Sequence, residues 1–215
     1  MFNAVIFDLD GTLLNTIQDL ANSMNAVLSH FGFPTHSVQK YKYLVGMGMA
    51  NLVRSALPEG SFNESGLPRY IEMFREEYGK RWDEAARPYE GIPELLDELA
   101  GRGLKMAVLS NKPDNFTQLI ITKLLPSWKF DAVYGERPSV PRKPDPAGAL
   151  EISRLLGIPP VEFLYLGDSG TDMDTANAAG MYAVGALWGF RDRAELVAHG
   201  AKAVIEKPED LLKFL

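Results

Sequence analysis

The chain contains no cysteine among its 215 residues. Disulfides, thiolate metal sites and cysteine nucleophiles are therefore excluded, and a cytoplasmic setting is the expectation that fits. Histidine is nearly as scarce. His30, His36 and His199 have no catalytic neighbours in the sequence and read as surface or packing residues. Basic charge is in deficit, with a formal net charge of -6, which argues against a general affinity for nucleic acid or an anionic membrane, since both need a basic face. No apolar stretch approaches the roughly 20 residues needed to span a bilayer. The opening Met1 to Phe7 lacks a basic n-region and meets Asp8 at once, so it reads as a strand rather than a signal peptide. There is no internal repeat or low-complexity tract. The hydrophobic share, 46%, is that of an ordinary folded protein, large enough for one sizeable domain or a domain with an insertion.

Hydrophobic periodicity predicts where the insertion lies. Ala4 to Phe7 is a short apolar run closed by Asp-Leu-Asp-Gly, as expected of a buried strand meeting a tight loop. From about Thr16 the spacing turns helical and stays so to about Arg87, over 16–31, 38–44, 49–57 and 67–82, with Gly46-Met47-Gly48 as an internal loop and Pro58 to Gly66 as a turn. After Pro88 helices and strands alternate, the pattern of a parallel sheet with crossover helices. Strands are expected at 105–109, 132–134, 163–166, 182–186 and 203–205. Helices are expected at 92–101, 115–125, 146–156, 173–179, 193–198 and 209–214. The resulting expectation is an α/β protein: a doubly wound, Rossmann-like parallel sheet core (1–15 and 85–215) with an all-helical cap (16–84) inserted after the first strand.

Four short segments carry chemistry: Asp8 to Thr12, Ser110-Asn111, Lys143-Pro144 and Gly167 to Asp172. Strand-like runs precede the first, second and fourth. In a parallel α/β sheet the loops after the strands meet in one crevice, so these distant segments are expected to build one polar site. Asp8, Asp10, Asp168 and Asp172 drawn into one crevice would repel one another unless a cation sat among them. With no cysteine and no suitably placed histidine the donors are all oxygen, which favours Mg²⁺. Ser110 and Asn111 offer a hydroxyl and an amide to phosphoryl oxygens. Lys143, stiffened by Pro141, Pro144 and Pro146, is the fixed cation best placed to offset charge on a transferring phosphoryl group.

These residues resemble the haloacid dehalogenase superfamily of phosphotransferases over nearly the whole chain. The superfamily's Asp-x-Asp-Gly-Thr, its Ser or Thr after a strand, its Lys often followed by Pro, and its Gly-Asp-x-x-x-Asp all occur in order, and the helical insertion looks like its mobile cap. The resemblance implies that Asp8 is the nucleophile, forming an aspartyl-phosphate, and that Asp10 is general acid and then base. It implies Mg²⁺ held by Asp8, the Asp10 carbonyl and Asp168, and a phosphoryl group bound by Ser110, Asn111 and Lys143. Asp172 and Ser169 support the site, with Asp172 serving the metal waters or Lys143, while Thr12 positions Asp10. A dehalogenase needs neither the metal nor Asp10, so phosphoryl transfer is the expected class. Lys40 and Lys42 read as a polar helix face rather than as the cap lysine of a phosphonoacetaldehyde hydrolase.

Val45-Gly46-Met47-Gly48 and the helix after it are similar to the cap segment of bacterial phosphoglycolate phosphatases, as is Leu187-Trp188-Gly189-Phe190, where Trp188 can equally well simply pack. By that resemblance Gly46, Gly48 and Arg54 set substrate specificity, with Arg54 clamping a small carboxylate. Asn15-Thr16 departs from the Asp-Ser usual at that point. The expected function is Mg²⁺-dependent hydrolysis of a small phosphorylated metabolite, 2-phosphoglycolate foremost, with no nucleic acid or membrane partner. A phosphosugar mutase, a pyrophosphatase or a non-catalytic phosphate-ligand binding protein are the alternatives, and monomer or homodimer stays open.

Overall fold

A computed structural model describes residues 2–215. The chain runs β1 (Ala4–Phe7), β2 (Leu14–Asn15), α1 (Ile17–His30), α2 (Val38–Leu44), α3 (Met49–Ala56), α4 (Leu67–Arg81), β3 (Arg87–Pro88) and α5 (Ile92–Gly101). It continues through β4 (Lys105–Pro113), α6 (Asp114–Leu124), β5 (Ala132–Glu136), α7 (Ala147–Leu156), β6 (Phe163–Gly167), α8 (Gly170–Ala178), β7 (Tyr182–Ala186), α9 (Arg193–Ala198) and β8 (Ala203–Ile205). It divides into two compact units, Met1–Leu14 with Pro88–Leu215 and Asn15–Arg87. The sequence reading put the boundaries at 15/16 and 84/85. The two-residue strands β2 and β3 lie at the crossings.

In the first unit six strands form one sheet in the order β5-β4-β1-β6-β7-β8, and every neighbouring pair is parallel. β1 is central, and all four of its side chains are fully buried, which explains why it reads as a continuous apolar run rather than an alternating one. Ile6, Ala107, Phe163 and Tyr165 pack with Ile152 of α7 and Met173 and Ala176 of α8 in one core layer. From β1 the chain steps to β4 and β5, then returns to β6, β7 and β8 on the other side. That reversal of direction is where doubly wound sheets open a crevice. Phe7 is in register with Val108 on one side and Leu166 on the other, so Asp8 and Asp168 leave the sheet at adjoining points, beside Ser110 within β4.

Three elements depart from expectation. β4 continues through the polar Ser110-Asn111 to Pro113, with a register shift between Leu109 and Pro113. α8 starts at Gly170 rather than Met173, because Ser169 and Asp172 close a capping box that starts the helix early. Pro208–Phe214, expected as a helix, is a 3₁₀ turn.

The second unit is helical. α1 buries Leu20, Met24, Val27 and Leu28 and packs on α4, whose Phe74 and Tyr78 rings stack 5.9 Å apart. Asp19 is fully buried on α1. Its carboxylate accepts main-chain N–H bonds from Ala85 (2.9 Å) and Ala86 (2.8 Å), so a charged side chain ties the start of the unit to its end. Among the described residues no helix is long and apolar enough to cross a membrane.

Candidate active site

Ionisable groups are rarely buried unless paired, yet the carboxyl ends of β1, β4 and β6, with the segment between β5 and α7, bury Asp8, Lys112, Lys143, Asp168 and Asp172. Lys143 holds the group together: its Nζ is 2.8 Å from Asp8 Oδ1 and 2.7 Å from Asp172 Oδ1. The other oxygen of Asp172 accepts from Ser169 Oγ at 2.6 Å. Asp168 Oδ1 accepts from Thr12 Oγ1 at 3.3 Å and Asp168 Oδ2 from the Phe190 N–H at 2.7 Å. Close approach makes glycine necessary twice over. A Cβ on Gly11, which has φ +91°, would fall 2.3 Å from Asp168 Oδ2, and one on Gly189 would fall 2.4 Å from the same atom. Lys112 Nζ lies 3.1 Å from Asp10 Oδ2.

The electrostatics call for a further cation. Burial, then the Asp172 charge, pushes the Asp8 carboxyl well above the ordinary carboxylate range, with Lys143 pulling the other way. Burial and Asp172 likewise raise Asp168 to about 7, against the Phe190 N–H and the charges of Arg191 and Lys143. At Lys143 burial opposes the charge, but Asp172 and Asp8 outweigh it and hold the ammonium well above its usual value. Four carboxylates (Asp8, Asp10, Asp168, Asp172) against two buried ammonium groups leave two formal negative charges, which one divalent ion would balance. Asp8, Asp168 and Asp172 each offer an oxygen within 4.8 Å of the others, a hard all-oxygen donor set that fits such an ion.

Comparison with known proteins agrees with this geometry. The model of the family described as "Haloacid dehalogenase-like hydrolase" matches residues 5–186. The chain belongs to the haloacid dehalogenase-like hydrolase family. It is 30% identical to a phosphoglycolate phosphatase of Aquifex aeolicus, over 98% of this chain and 95% of that one. It is also 30% identical to phosphoglycolate phosphatase 1 of Pseudomonas aeruginosa, over 97% and 78%. The crystal structure of a predicted phosphoglycolate phosphatase from Haemophilus somnus superimposes with a TM-score of 0.90 at 28% identity, covering 99% of this chain and 97% of that one. The protein is thus an enzyme of the haloacid dehalogenase-like type, similar to phosphatases.

Within this hydrolase the structure gathers Asp8, Asp10, Thr12, Ser110, Asn111, Lys143, Asp168, Ser169 and Asp172 around the ends of the central strands, but gives some of them other partners than expected. Thr12 donates to Asp168, whereas the sequence reading had it positioning Asp10. Asn111, expected to donate to phosphoryl oxygens, uses its side-chain amide on the Lys143 backbone: Nδ2 donates to the carbonyl at 3.0 Å and Oδ1 accepts the N–H at 2.9 Å. It therefore fixes the segment that carries the lysine. Of the two tasks proposed for Asp172, the contact seen is the one with Lys143. Gly46 and Gly48 lie in the loop that opens α3 in the helical unit, Gly48 as the N-cap residue. Arg54 on α3 is engaged by both oxygens of Glu64, one at 2.9 Å, so the guanidinium expected to clamp a substrate carboxylate already has one.

One participant, Lys112, was missed, and the partner of another, Trp188, was not foreseen. Lys112 follows the Ser110-Asn111 pair directly, and its Lys-Pro repeats the Lys143-Pro144 pattern, a signal present in the sequence just past the expected end of β4 at Leu109. Trp188, for which packing was the alternative to a subfamily feature, donates its indole N–H to the Thr12 carbonyl at 2.9 Å. No sequence signal could have paired residues that far apart.

Proposed function

We propose that this enzyme is a Mg²⁺-dependent phosphomonoester hydrolase that works through an aspartyl-phosphate on a small phosphorylated metabolite, 2-phosphoglycolate foremost. The observation that carries the reading is the buried Asp8–Lys143–Asp172 linkage beside Asp168. A carboxylate pinned at one oxygen by a fixed ammonium presents its other oxygen in a constant direction, as an attacking group must. Asp8 and Asp168, with the Asp10 carbonyl, would hold the ion, which supplies positive charge against the phosphoryl oxygens. Asp8 attacks phosphorus, the P–O bond to the alcohol breaks, and Asp10 gives the leaving oxygen its proton. Asp10 then takes a proton from the water that cleaves the acyl phosphate. Lys143 offsets charge on the transferring group throughout, and Ser110 donates to it. The names of the relatives support the choice of substrate.

The test is release of inorganic phosphate from a panel containing 2-phosphoglycolate, hexose phosphates, p-nitrophenyl phosphate and pyrophosphate, with Mg²⁺ and after chelation. Hydrolysis that needs the ion, with the highest kcat/KM on 2-phosphoglycolate, is expected. Failure to hydrolyse any monoester in the presence of Mg²⁺ would reject the reading.

A further inference from the structure

We propose that Lys112 reads the leaving group: its ammonium recognises an anionic substituent one or two carbons from the ester oxygen, so that phosphate esters of small hydroxy acids are preferred to those of neutral alcohols. This rests on the hydrolase reading above. If Asp10 protonates the leaving oxygen, one of its carboxylate oxygens must come within about 3 Å of that atom. Lys112 Nζ lies 3.1 Å from Asp10 Oδ2, so a positive charge stands beside the place where the alcohol departs. Its side chain is only 4% exposed, held by a backbone that is itself fixed: the Lys112 N–H donates to Ser110 Oγ at 3.2 Å and its carbonyl accepts from Thr117 Oγ1 at 3.2 Å. A lysine placed only for solubility would send its ammonium to water.

The division of labour between the two buried lysines supports this. Lys143 bonds Asp8 and Asp172, at the end of the site where phosphorus is attacked. Lys112 bonds Asp10, at the end where the alcohol leaves. In the helical unit Arg54, the cation expected to meet a substrate carboxylate, is instead engaged by Glu64. In 2-phosphoglycolate the carboxylate is one carbon beyond the ester carbon's oxygen, within the span of an ammonium that touches Asp10. A lysine matched to such a group discriminates by charge, and a substrate lacking the charge leaves a buried ammonium with less compensation.

The experiment compares kcat/KM for 2-phosphoglycolate and for 2-hydroxyethyl phosphate, its neutral near-isostere, in the wild type, Lys112→Met and Lys112→Arg. The wild type should favour the carboxylate at least tenfold. Lys112→Met should erase most of that ratio, chiefly through KM for 2-phosphoglycolate, and Lys112→Arg should keep part of it. Equal losses on both substrates in Lys112→Met would mean that Lys112 merely positions Asp10, and would overturn the proposal. So would a wild-type ratio near one, a measurement that needs no variant to fold. Hydrolysis of both esters with no preference would sink this inference and leave the hydrolase reading standing, whereas failure to hydrolyse either would remove both.

Discussion

Each unit of this hydrolase buries a carboxylate, and the two are satisfied in opposite ways. In the helical unit Asp19 accepts N–H bonds from Ala85 and Ala86, donors that are fixed in the backbone and already point at it. In the sheet unit Asp8 and Asp168 face further carboxylates, and the amide, hydroxyl and ammonium groups around them leave negative charge in excess. Asp19 is a structural bond that happens to be charged. The sheet cluster stays short of counter-charge, as a site must be if it is to take up a cation and a reacting group. The same side chain thus supports the fold in one place and is tolerated by it in the other.

The largest contrast should come from crossing two substitutions. Asp8→Asn should lower kcat by about a thousandfold or more, since an amide is a poor nucleophile, and should leave thermal stability unchanged or raised, because it removes one charge from a crowded group. Asp19→Ala should do the reverse. It removes the acceptor of the exposed Ala85 N–H, which water can replace, and strands the buried Ala86 N–H, worth about 1–3 kcal/mol without an acceptor, so a loss of about that size is expected, with residual activity in whatever stays folded. Denaturant unfolding and steady-state rates on both variants check this. A destabilised Asp8→Asn with an unperturbed Asp19→Ala would invert the comparison.

The next effect is a dependence on pH. Without a metal, burial and the neighbouring Asp172 hold the Asp168 carboxyl at about 7 and keep Asp8 well above the ordinary range. The folded state then binds these protons more tightly than the unfolded chain, whose carboxyls titrate near 4. The stabilisation is therefore complete below pH 4 and is lost as pH rises through about 7. Lys143, raised above its usual value, stays charged over this range and adds no slope. The melting temperature of the chelated protein should accordingly fall by several degrees between pH 5 and 8. Mg²⁺, which competes with those protons, should restore it most at the alkaline end. A melting temperature independent of pH in chelator would contradict the charge excess assigned to the cluster.

How much of this was legible in the sequence follows the same division. β1 announced itself because all four of its residues are buried, Asp8 and Asp168 because charged residues at the ends of apolar runs are conspicuous, and Lys143 because prolines flank it. Such signals are local. The partnerships were not legible: Thr12 with Asp168 spans 156 residues, Asn111 with Lys143 spans 32, and Ala86 with Asp19 spans 67. Each depends on the register with which strands and helices finally pack, and residue type alone allows several such pairings. Thr12 was expected to position Asp10, and nothing local in the sequence showed that its hydroxyl donates to Asp168. The partner of Arg54 was not legible for a related reason, since a helical arginine fits a substrate clamp and an ion pair with Glu64 equally well on paper.

The smallest effect sharpens the comparison within the sheet unit, where support of the fold and support of the site meet in one side chain. Trp188 donates to the Thr12 carbonyl, Thr12 donates to Asp168, and the Phe190 N–H two residues beyond Trp188 also donates to Asp168. The 188–190 loop therefore holds the Asp168 carboxylate from both sides, once directly and once through Thr12. Trp188→Phe keeps most of the apolar contact and removes one neutral hydrogen bond, worth about 0.5–1.5 kcal/mol, which in a chain of this size lowers the melting point by about 2–4 °C per kcal/mol. If the bond serves only the fold, the metal requirement of the reaction should not change. If it holds Asp168 as the geometry indicates, the Mg²⁺ concentration giving half-maximal rate should rise severalfold while kcat at saturating Mg²⁺ stays near that of the wild type, a separation that titration of the ion in the two proteins would measure directly.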